Sequence, residues 1–379
     1  MARILHIVDA AGDAPEALLR LLRHLDRARW QPAVVALGWR GAAVERLRAL
    51  GVAVFALDPG EESGALAALQ LALDARRLPR LLGGRRFDLV HARGGGDLLA
   101  RLAAPRLGAR AVVVSFNGAL PELDAWRRRI DLRTAGRVTR FILPAAALEP
   151  ALRARHGGAA ARCAVIPEGI DIGEADAALA IGREEARRRL RLFATDIAVA
   201  CVAPLDEESG AVHLLAAFHA LLQEHPTARL LIAGDGPARA ALEAVAASLR
   251  LGPFARFLDT LPEPWPLLAA ADIFALPAPR SGMPAALLEA MAARLPAVAA
   301  ATGAVPDMVT EGCEALLVPP GDAGALGRAL AILAADPGRR REMGARARRR
   351  AEDSFRIERT AAAVAGLYGE LLAGPAAAG

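Results

Sequence analysis

Short apolar runs alternate along the chain with longer segments in which apolar and polar residues recur at helical spacing. In the first half, the apolar runs predict strands at residues 4–8, 33–37, 52–57, 89–91, 111–115 and 138–143. The helical spacing predicts helices at residues 15–25, 44–50, 66–82 and 98–104. Continuous apolar strands separated by amphipathic helices are typical of a parallel sheet that is covered on both faces. The first half is therefore predicted to be α/β.

A turn-rich connection at residues 166–173 separates this series from a second one. The second series has predicted strands at residues 197–202, 230–233, 273–276, 297–299 and 316–318, with helices at residues 183–192, 212–222, 238–249, 285–293, 325–333, 337–351 and 357–372. We predict a Rossmann-like domain at residues 1–171, a second at residues 172–355, and a last helix with a disordered tail at residues 356–379. Two such domains should enclose a cleft at the carboxyl ends of their strands, where open α/β sheets bind ligands.

The composition agrees with two folded domains in a reducing compartment. The chain has 379 residues, of which 54% are hydrophobic and 23% are charged, enough for two cores. No uncharged apolar run reaches the roughly 18 residues of a membrane-spanning helix, and we expect no secretory signal. Cys163, Cys201 and Cys313 lie far apart without a C-x-x-C pair, which favours a cytoplasmic protein.

The charge does not indicate a nucleic-acid partner. All 47 basic residues are arginine, so the pI of about 10.1 accompanies a formal charge of only +5. Acidic residues interrupt the basic ones throughout, and aromatic residues are only 4% of the chain. A nucleic-acid-binding domain is expected to concentrate its basic residues and to place aromatic residues among them. We therefore expect no binding of nucleic acid.

A predicted strand at residues 230–233 leads directly into a glycine turn and then a helix. Gly234 and Gly236 would permit close approach of the backbone, and the first N–H groups of the helix could meet a phosphate. The alternative is a turn that needs glycine only for its own geometry. Arg239 stands where the dinucleotide fingerprint requires a third glycine, so the turn does not indicate a dehydrogenase.

A second strand, at residues 273–276, leads into a loop rich in proline and glycine, and a helix is predicted to begin near Pro284. Gly282 would let the loop approach a ligand closely. The start of the helix would present N–H groups and the positive end of its dipole to an anion. Glu289, in the second turn, could accept hydrogen bonds from a vicinal diol such as ribose. The alternative is an ordinary exposed glutamate.

The order of these motifs resembles that of the retaining, nucleotide-sugar-dependent glycosyltransferases of family four, which have the GT-B fold. The matching segments run from residue 163 to about residue 370, and each is a weak signal alone. In order they are VIPEGID (165–171), LLAAF (214–218), IAGDGP (232–237), ADIFALP (271–277), LLEAMA (287–292), VPDMV (305–309) and LVPPGD (317–322). The amino-terminal half matches this family only in its layout.

The resemblance implies two Rossmann-like domains facing across a cleft, and a set of donor-site residues. Glu289 corresponds to the second glutamate of the family's E-x7-E motif, which typically holds the ribose of the nucleotide. The backbone of Gly282, Met283 and Pro284 would lie by the donor diphosphate and sugar, with Gly234 and Gly236 at the neighbouring turn. Gly12 is the candidate for the amino-terminal glycine loop.

Several positions depart from the family pattern. The first glutamate of E-x7-E, which usually contacts the donor sugar, falls on Ser281. The diphosphate-binding arginine and lysine of the family fall on Pro204 and Ser209. Losing two cations beside a departing diphosphate would cost about 10³–10⁶ in rate. Arg280 could replace the missing charge, or it could be an exposed loop arginine.

Three further departures lie elsewhere in the pattern. The histidine that often follows the strand ending at Ser115 is replaced by Phe116-Asn117-Gly118. Glu168 stands for the family asparagine, and Arg294 stands for a glycine that ends a helix.

The leading hypothesis is therefore a hexosyltransferase-type enzyme that moves a sugar from a nucleoside diphosphate sugar to an acceptor hydroxyl with retention. The resemblance implies a sugar or lipid-linked acceptor, a role in polysaccharide, lipopolysaccharide or glycolipid synthesis, and neither a metal nor a cofactor. The competing hypothesis is a catalytically degenerate GT-B subunit that scaffolds or regulates an active partner. A sugar-nucleotide epimerase of related fold is a third, less supported alternative.

Other candidate features are weaker. His213, His219 and His225 are spaced by six residues, which places them on different helix faces and argues against a metal cluster. Ser115 lacks the G-x-S-x-G context and a recognisable base, so a hydrolase triad is not indicated. The basic segment at residues 126–130 could rest on the inner face of a membrane, or it could be a solvated helix face.

Overall fold

The structure is a computed structural model that describes residues 1–9, 14–38, 42–58, 64–116, 120, 123–261, 263–278 and 283–373. The chain forms two compact units. The first contains the residues up to Gly169 together with the last helix, and the second contains residues 170–356. The sequence analysis set residues 356–379 apart, whereas the last helix belongs to the first unit. The predicted disordered tail, residues 374–379, lies outside the described residues.

The first unit is one parallel sheet with helices on both faces. Its strands are β1 (Ala2–Asp9), β2 (Trp30–Leu37), β3 (Ala53–Leu57), β4 (Leu89–Arg93), β5 (Ala111–Ser115), β6 (Arg140–Leu143) and β7 (Cys163–Val165). Its helices are α1 (Ala14–His24), α2 (Ala42–Ala49), α3 (Gly64–Leu81), α4 (Asp97–Leu107), α5 (Ala125–Thr134), α6 (Glu149–His156) and the last helix of the chain, α16 (Ile357–Ala373). The strand order is β3-β2-β1-β4-β5-β6-β7, and every pairing is parallel.

The alternation of side chains along β1 explains why both faces of this sheet are covered. Ile4 and Val8 are fully buried in a cluster that includes residues of α1, α2 and α16. Leu5 and Ile7 point to the other face and are buried with residues of α3, α4 and α6. Because successive side chains of a strand point to opposite faces, an uninterrupted apolar strand requires helices on both sides.

Gly169 joins the first unit to the second at a point of close backbone contact. A Cβ atom on this residue would lie 2.4 Å from the Cα of Ile357, the first residue of α16. The Thr360 hydroxyl of the same helix donates to the carbonyl of Pro167 (2.9 Å). The glycine of the VIPEGID motif therefore has a structural reason, since only glycine lets the chain pass so close to the start of α16.

The second unit repeats the same architecture with six strands. Its elements are α7 (Ile172–Leu179), α8 (Arg183–Arg189), β8 (Ile197–Val202), α9 (Ala211–Glu224), β9 (Ala228–Ala233), α10 (Arg239–Ser248), β10 (Ala255–Leu258), α11 (Trp265–Ala270), β11 (Ile273–Leu276), α12 (Ala285–Ala292), β12 (Ala297–Ala300), α13 (Val305–Met308), β13 (Ala315–Val318), α14 (Ala323–Ala335) and α15 (Pro337–Ser354). The strands are parallel in the order β10-β9-β8-β11-β12-β13.

Both sheets reverse their direction of growth once, and this creates a defined place for a ligand. In the first sheet the order reverses between β1 and β4, and in the second between β8 and β11. In doubly wound sheets, ligands bind outside the carboxyl ends of the two strands at such a switch point. The predicted α/β class is confirmed in both units.

The structure adds elements that the sequence analysis did not predict. The edge strands β7 and β10 were missed, as were the helices α5, α6, α7, α11 and α13. The connection predicted at residues 166–173 is irregular only up to Asp171, which caps α7 by accepting a hydrogen bond from the Glu174 N–H (2.9 Å).

Candidate functional site

The switch point of the second sheet is bordered by the loops that leave β8 and β11. The loop after β8 spans residues 203–210 and the loop after β11 spans residues 277–284. Met283, Pro284 and Glu289 therefore belong to the switch-point side of the sheet, as the predicted donor site requires. Arg280, Ser281 and Gly282 lie outside the described residues.

Gly234 and Gly236 hold the turn after β9 against the loop after β8. A Cβ on Gly234 would lie 1.9 Å from the Ala203 carbonyl oxygen, and the residue has a φ of +148°. A Cβ on Gly236 would lie 2.4 Å from the carbonyl oxygen of Leu205. The Leu205 N–H donates to the Asp235 carbonyl (3.0 Å). This packing accounts for both glycines by itself, and their contact with a donor stays a prediction.

The loop after β8 carries no cation at the two positions where the family has one. Ser209 is buried, its hydroxyl donates to the Asp206 carbonyl (2.8 Å) and it accepts a hydrogen bond from the Ala211 N–H at the start of α9 (3.3 Å). Pro204 is exposed. The Asp206 carboxylate accepts from the Glu208 N–H (3.0 Å), so this acid acts as a local cap. The loop is thus a locally bonded turn of acidic character.

The helix that follows the second loop begins as the sequence predicts. Pro284 is the N-cap of α12, with φ −74° and ψ 111°, and no side chain among the described residues caps this helix. Proline fixes the backbone at the helix start without needing a hydrogen bond of its own. By contrast, Asp322 and Asp336 cap α14 and α15 with their carboxylates. The positive end of the α12 dipole is therefore not neutralised by a capping carboxylate from the described residues.

Glu289 lies on the less buried side of α12. Leu287, Leu288 and Met291 of this helix are buried in the unit, whereas Glu289 is only partly buried. Met283, directly before the helix, is 5% exposed. A carboxylate one turn inside a helix start that no described side chain caps can accept hydrogen bonds from a hydroxylated ligand that also carries an anion.

At the switch point of the first sheet, Asp9 and three glycines form a rigid corner. The Asp9 carboxylate accepts a hydrogen bond from the Gly95 N–H (2.6 Å). A Cβ on Gly94 or Gly95 would lie 2.4 or 2.5 Å from an Asp9 oxygen, and one on Gly96 would lie 2.7 Å from the Ile7 carbonyl. The contact at Gly96 is with backbone, so only glycine fits there, and it allows the close approach of the start of α4 to β1. The predicted Gly12 lies outside the described residues.

A buried row of polar side chains lies on the α16 face of this sheet. The two ring nitrogens of His91 face the hydroxyls of Tyr368 and Ser115, the latter at 2.5 Å. His6 stacks obliquely on His91 with ring centroids 5.3 Å apart. Burial, followed by the positive charge of Arg93, lowers the pKa of His6 to about 3 and that of His91 well below its ordinary value. Both histidines are therefore neutral at pH 7.

The sequence indicated no base partner for Ser115, but the structure places a ring nitrogen of His91 beside the Ser115 hydroxyl. Ser115 is 3% exposed and His91 is fully buried, and the second nitrogen of His91 faces a tyrosine rather than a carboxylate. This pair is a structural tie between the sheet and α16, and it does not form a hydrolase triad.

Asp9, Arg93 and the glycine run are site candidates that the sequence analysis missed. Arg93 ends β4 beside the switch point of the first sheet, is 6% exposed, and has a buried Nε atom without a partner among the described residues. Burial lowers the pKa of this guanidinium. A charged residue at the end of an apolar strand, followed by three glycines, was the signal in the sequence.

The described residues contain neither a membrane-spanning helix nor a metal-binding cluster. None of the helices described is long and apolar enough to cross a membrane. Histidine, cysteine and acidic side chains in the described ranges form no group of three suited to a metal ion.

Comparison with known proteins supplies the deciding observations. The family model "Glycosyltransferase Family 4" matches residues 16–174, and the model "Glycosyl transferases group 1" matches residues 182–350. A GDP-mannose-dependent alpha-(1-6)-phosphatidylinositol monomannoside mannosyltransferase from Mycolicibacterium smegmatis is 30% identical over 325 residues, which are 79% of this chain and 80% of the relative. The chain belongs to the family-four glycosyltransferases.

A second relative matches this glycosyltransferase over a shorter stretch. The monoacylated-substrate mannosyltransferase of the same type from Corynebacterium glutamicum is 31% identical over 202 residues. That match spans 51% of this chain and only about half, 52%, of the relative.

Solved structures confirm the GT-B fold of this glycosyltransferase. Anabaena HepE in complex with UDP and glucose superimposes with a TM-score of 0.82 at 20% identity, over 97% of this chain and all of that one. Sucrose-phosphate synthase from Thermosynechococcus elongatus superimposes with a TM-score of 0.80 at 20% identity, over 98% and 100%. At this identity the likeness concerns the fold.

Proposed function

We propose that this glycosyltransferase transfers a hexosyl group from a nucleoside diphosphate sugar to an acceptor hydroxyl with retention of configuration. The observation that carries the proposal is the start of α12 at the switch point of the second sheet. This helix has no side-chain cap among the described residues, and it carries Glu289 one turn further on. An anion and a diol held a helical turn apart are the features of a nucleoside diphosphate.

Each part of the proposed site has a physical role. The first N–H groups of α12 and its dipole stabilise the negative charge of the diphosphate, which grows as the sugar departs. Glu289 accepts hydrogen bonds from the ribose and positions the donor. The backbone at Met283 and Pro284 lies beside the diphosphate and the sugar. The proposed site also includes Gly12, Arg280, Ser281 and Gly282, which lie outside the described residues.

Relatives favour GDP-mannose as the first donor to test. The Mycolicibacterium and Corynebacterium relatives are both GDP-mannose-dependent, and their substrates are mannosides of phosphatidylinositol. We therefore propose mannosyl transfer to a sugar or lipid-linked acceptor, in the synthesis of a glycolipid or a polysaccharide.

Contact with a membrane surface is part of the same proposal. Helix α5 carries Arg127, Arg128 and Arg129 in exposed positions, and Leu132 on the same helix is 53% exposed. Basic and apolar side chains together on one helix favour adsorption to an anionic bilayer. Sedimentation with vesicles of anionic, but not of neutral, lipid supports the proposal, and equal sedimentation with both contradicts it.

One observation favours the second candidate function, a catalytically degenerate subunit. The loop after β8 has Pro204 and Ser209 at the two positions where the family has an arginine and a lysine. All of the charged residues in this loop are acids. If these departures limit turnover, the combined variant Ser281→Glu, Pro204→Arg, Ser209→Lys should raise it at least about tenfold, roughly 1.4 kcal/mol of transition-state stabilisation. A folded wild-type protein that binds no donor would favour the degenerate subunit.

The experiment is a donor screen with two readouts. The protein is incubated with GDP-mannose, UDP-glucose and ADP-glucose, with and without a mannoside acceptor, and release of the nucleoside diphosphate is followed. The anomeric configuration of the product is then read by NMR. Release with a product of the donor's own anomeric configuration supports the proposal. An inverted product contradicts retention, and no release with any donor contradicts the activity.

A further inference from the structure

A cavity of about 590 Å³ opens at the amino-terminal edge of the first sheet. Three arginines line it: Arg3 on β1, Arg27 just before β2, and Arg85 just before β4. The remaining lining residues are apolar or uncharged, and no acidic side chain is among them. The cavity is therefore strongly electropositive.

The three arginines have no carboxylate partner within the part of the chain that the structure describes. Other arginines do find such partners: Arg101, for example, pairs with Asp97 (2.8 Å) and Asp131 (2.6 Å). The guanidinium of Arg85 instead lies 5.6 Å from the ring centre of Phe55. Burial lowers the pKa of Arg27, because water is partly withdrawn from its charge without an anion to replace it.

The acids next to this cavity are engaged elsewhere. The Asp88 carboxylate accepts the backbone N–H of Arg3 (2.8 Å) and lies 3.6 Å from the guanidinium of Arg110. The Asp26 carboxylate accepts the backbone N–H of Ala28 (2.9 Å). Neither acid forms an ion pair with a cavity arginine, so the positive charge stays uncompensated.

The frame of the cavity is rigid. Trp30, the first residue of β2, is 3% exposed, and Phe87 is 4% exposed. The Trp30 ring packs edge-on against Tyr368 of α16, with centroids 5.6 Å apart. The arginines thus project from an ordered floor, so that little conformational entropy beyond that of their own side chains is lost when they bind.

We propose that this cavity binds a phosphorylated small molecule with two or more phosphate charges. Guanidinium groups pair with phosphate oxygens through two parallel hydrogen bonds, which makes arginine the preferred residue for such recognition. Three arginines lining one cavity match the charge of a di- or triphosphate. The cavity lies at the opposite end of the first sheet's strands from the switch point of that sheet: β1 alone spans eight residues, about 25 Å. All of its lining residues belong to the first unit, so it shares no residue with the proposed donor site on the second sheet.

The test is calorimetric titration of the full chain with inorganic tripolyphosphate. The cavity variant Arg3→Gln, Arg27→Gln, Arg85→Gln is compared with a control variant, Arg106→Gln, Arg328→Gln, Arg349→Gln, which removes the same charge from exposed helix positions. We expect the cavity variant to bind at least tenfold more weakly than wild type, and the control to bind within threefold. The single variant Arg27→Gln provides the same comparison should the triple variant be unstable.

Two results would overturn this proposal. If both triple variants weaken binding equally, the affinity for tripolyphosphate depends only on the net charge of the protein. If the cavity variant binds as wild type, the ion is held elsewhere in the chain. Loss of binding in the cavity variant, with the control variant unchanged, supports the cavity as the site, whether or not the donor proposal holds.

Discussion

The turn after β9 depends on the absence of a Cβ atom at Gly234. A Cβ on Gly234 would meet the Ala203 carbonyl oxygen at 1.9 Å, at a φ of +148° that side chains rarely adopt. We expect Gly234→Ala to lower the free energy of unfolding by at least about 2 kcal/mol, since strain and a backbone clash add. Gly252→Ala is the matched control, because nothing lies within 4 Å of its Cβ and no positive φ is required.

Urea unfolding of the two variants measures this difference. Gly252→Ala should stay within about 0.5 kcal/mol of wild type. Equal stabilities for the two variants would mean that the β8 loop moves away freely, and the packing explanation of the glycine turn would then fail.

The sequence could predict residues whose role is local and missed those that act across strands. The position of Pro284 and Glu289 at the start of α12 could be predicted because a strand, a loop and a helix follow one another in the chain. Asp9 and its glycine partners were missed because their contact depends on β1 and β4 pairing side by side, which no sequence spacing encodes. The same explanation applies to His91, because its hydrogen-bond partner Tyr368 is 277 residues further along the chain.

At the scale of elements, the end of α12 shows the cost of one departure from the family pattern. Arg294 has a φ of +61°, and the Leu295 N–H donates to the Ala290 carbonyl (3.0 Å) in a left-handed helix ending. Glycine adopts this conformation without steric cost. We therefore expect Arg294→Gly to raise the free energy of unfolding by about 0.5–1 kcal/mol.

Arg294→Ala is the control for this prediction, since it removes the same side chain but keeps the Cβ. Thermal unfolding of both variants separates backbone strain from the loss of the guanidinium. A glycine variant no more stable than the alanine variant would show that the left-handed residue carries no strain.

The strands whose bounds the sequence predicted best are central strands that are buried on both faces. Central strands such as β8 and β11 are uninterrupted apolar runs, and their predicted bounds agree with the structure. The edge strand β10 was missed because Arg256 interrupts its short apolar run. Helix α5 was missed because its segment is rich in arginine and was considered only as a membrane-facing segment or a solvated helix face.

At the scale of the whole molecule, the buried histidines couple stability to pH. The ordinary pKa of His6 is 6.5, and in the folded chain it is about 3. The unfolded chain therefore binds a proton first, and stability is lost as the pH falls from about 6.5 toward 3. From pH 7 to pH 5, His6 alone should cost about 2 kcal/mol.

The variant His6→Leu should lose correspondingly less stability between pH 7 and pH 5. His219→Leu, on α9 of the other unit, is the control and should keep the acid sensitivity of the wild type. Urea unfolding at the two pH values gives the comparison. An unchanged pH slope in His6→Leu would mean that this histidine does not titrate on unfolding.

The last helix illustrates what sequence patterns cannot show about a whole molecule. Its amphipathic spacing predicted a helix correctly, but nothing in the spacing told which unit it joins. The structure settles this through Tyr368, fully buried against His91 and Trp30 of the first unit. The chain thus returns to its first sheet after completing the second.

Glu289 and the start of α12 are proposed to hold a nucleoside diphosphate sugar, and calorimetric titration with GDP-mannose measures this binding. Wild type is compared with Glu289→Ala and with the control Glu224→Ala on α9. We expect micromolar binding by wild type and the control, and at least a tenfold loss of affinity in Glu289→Ala. Equal affinities for the two variants, in folded proteins, would contradict it.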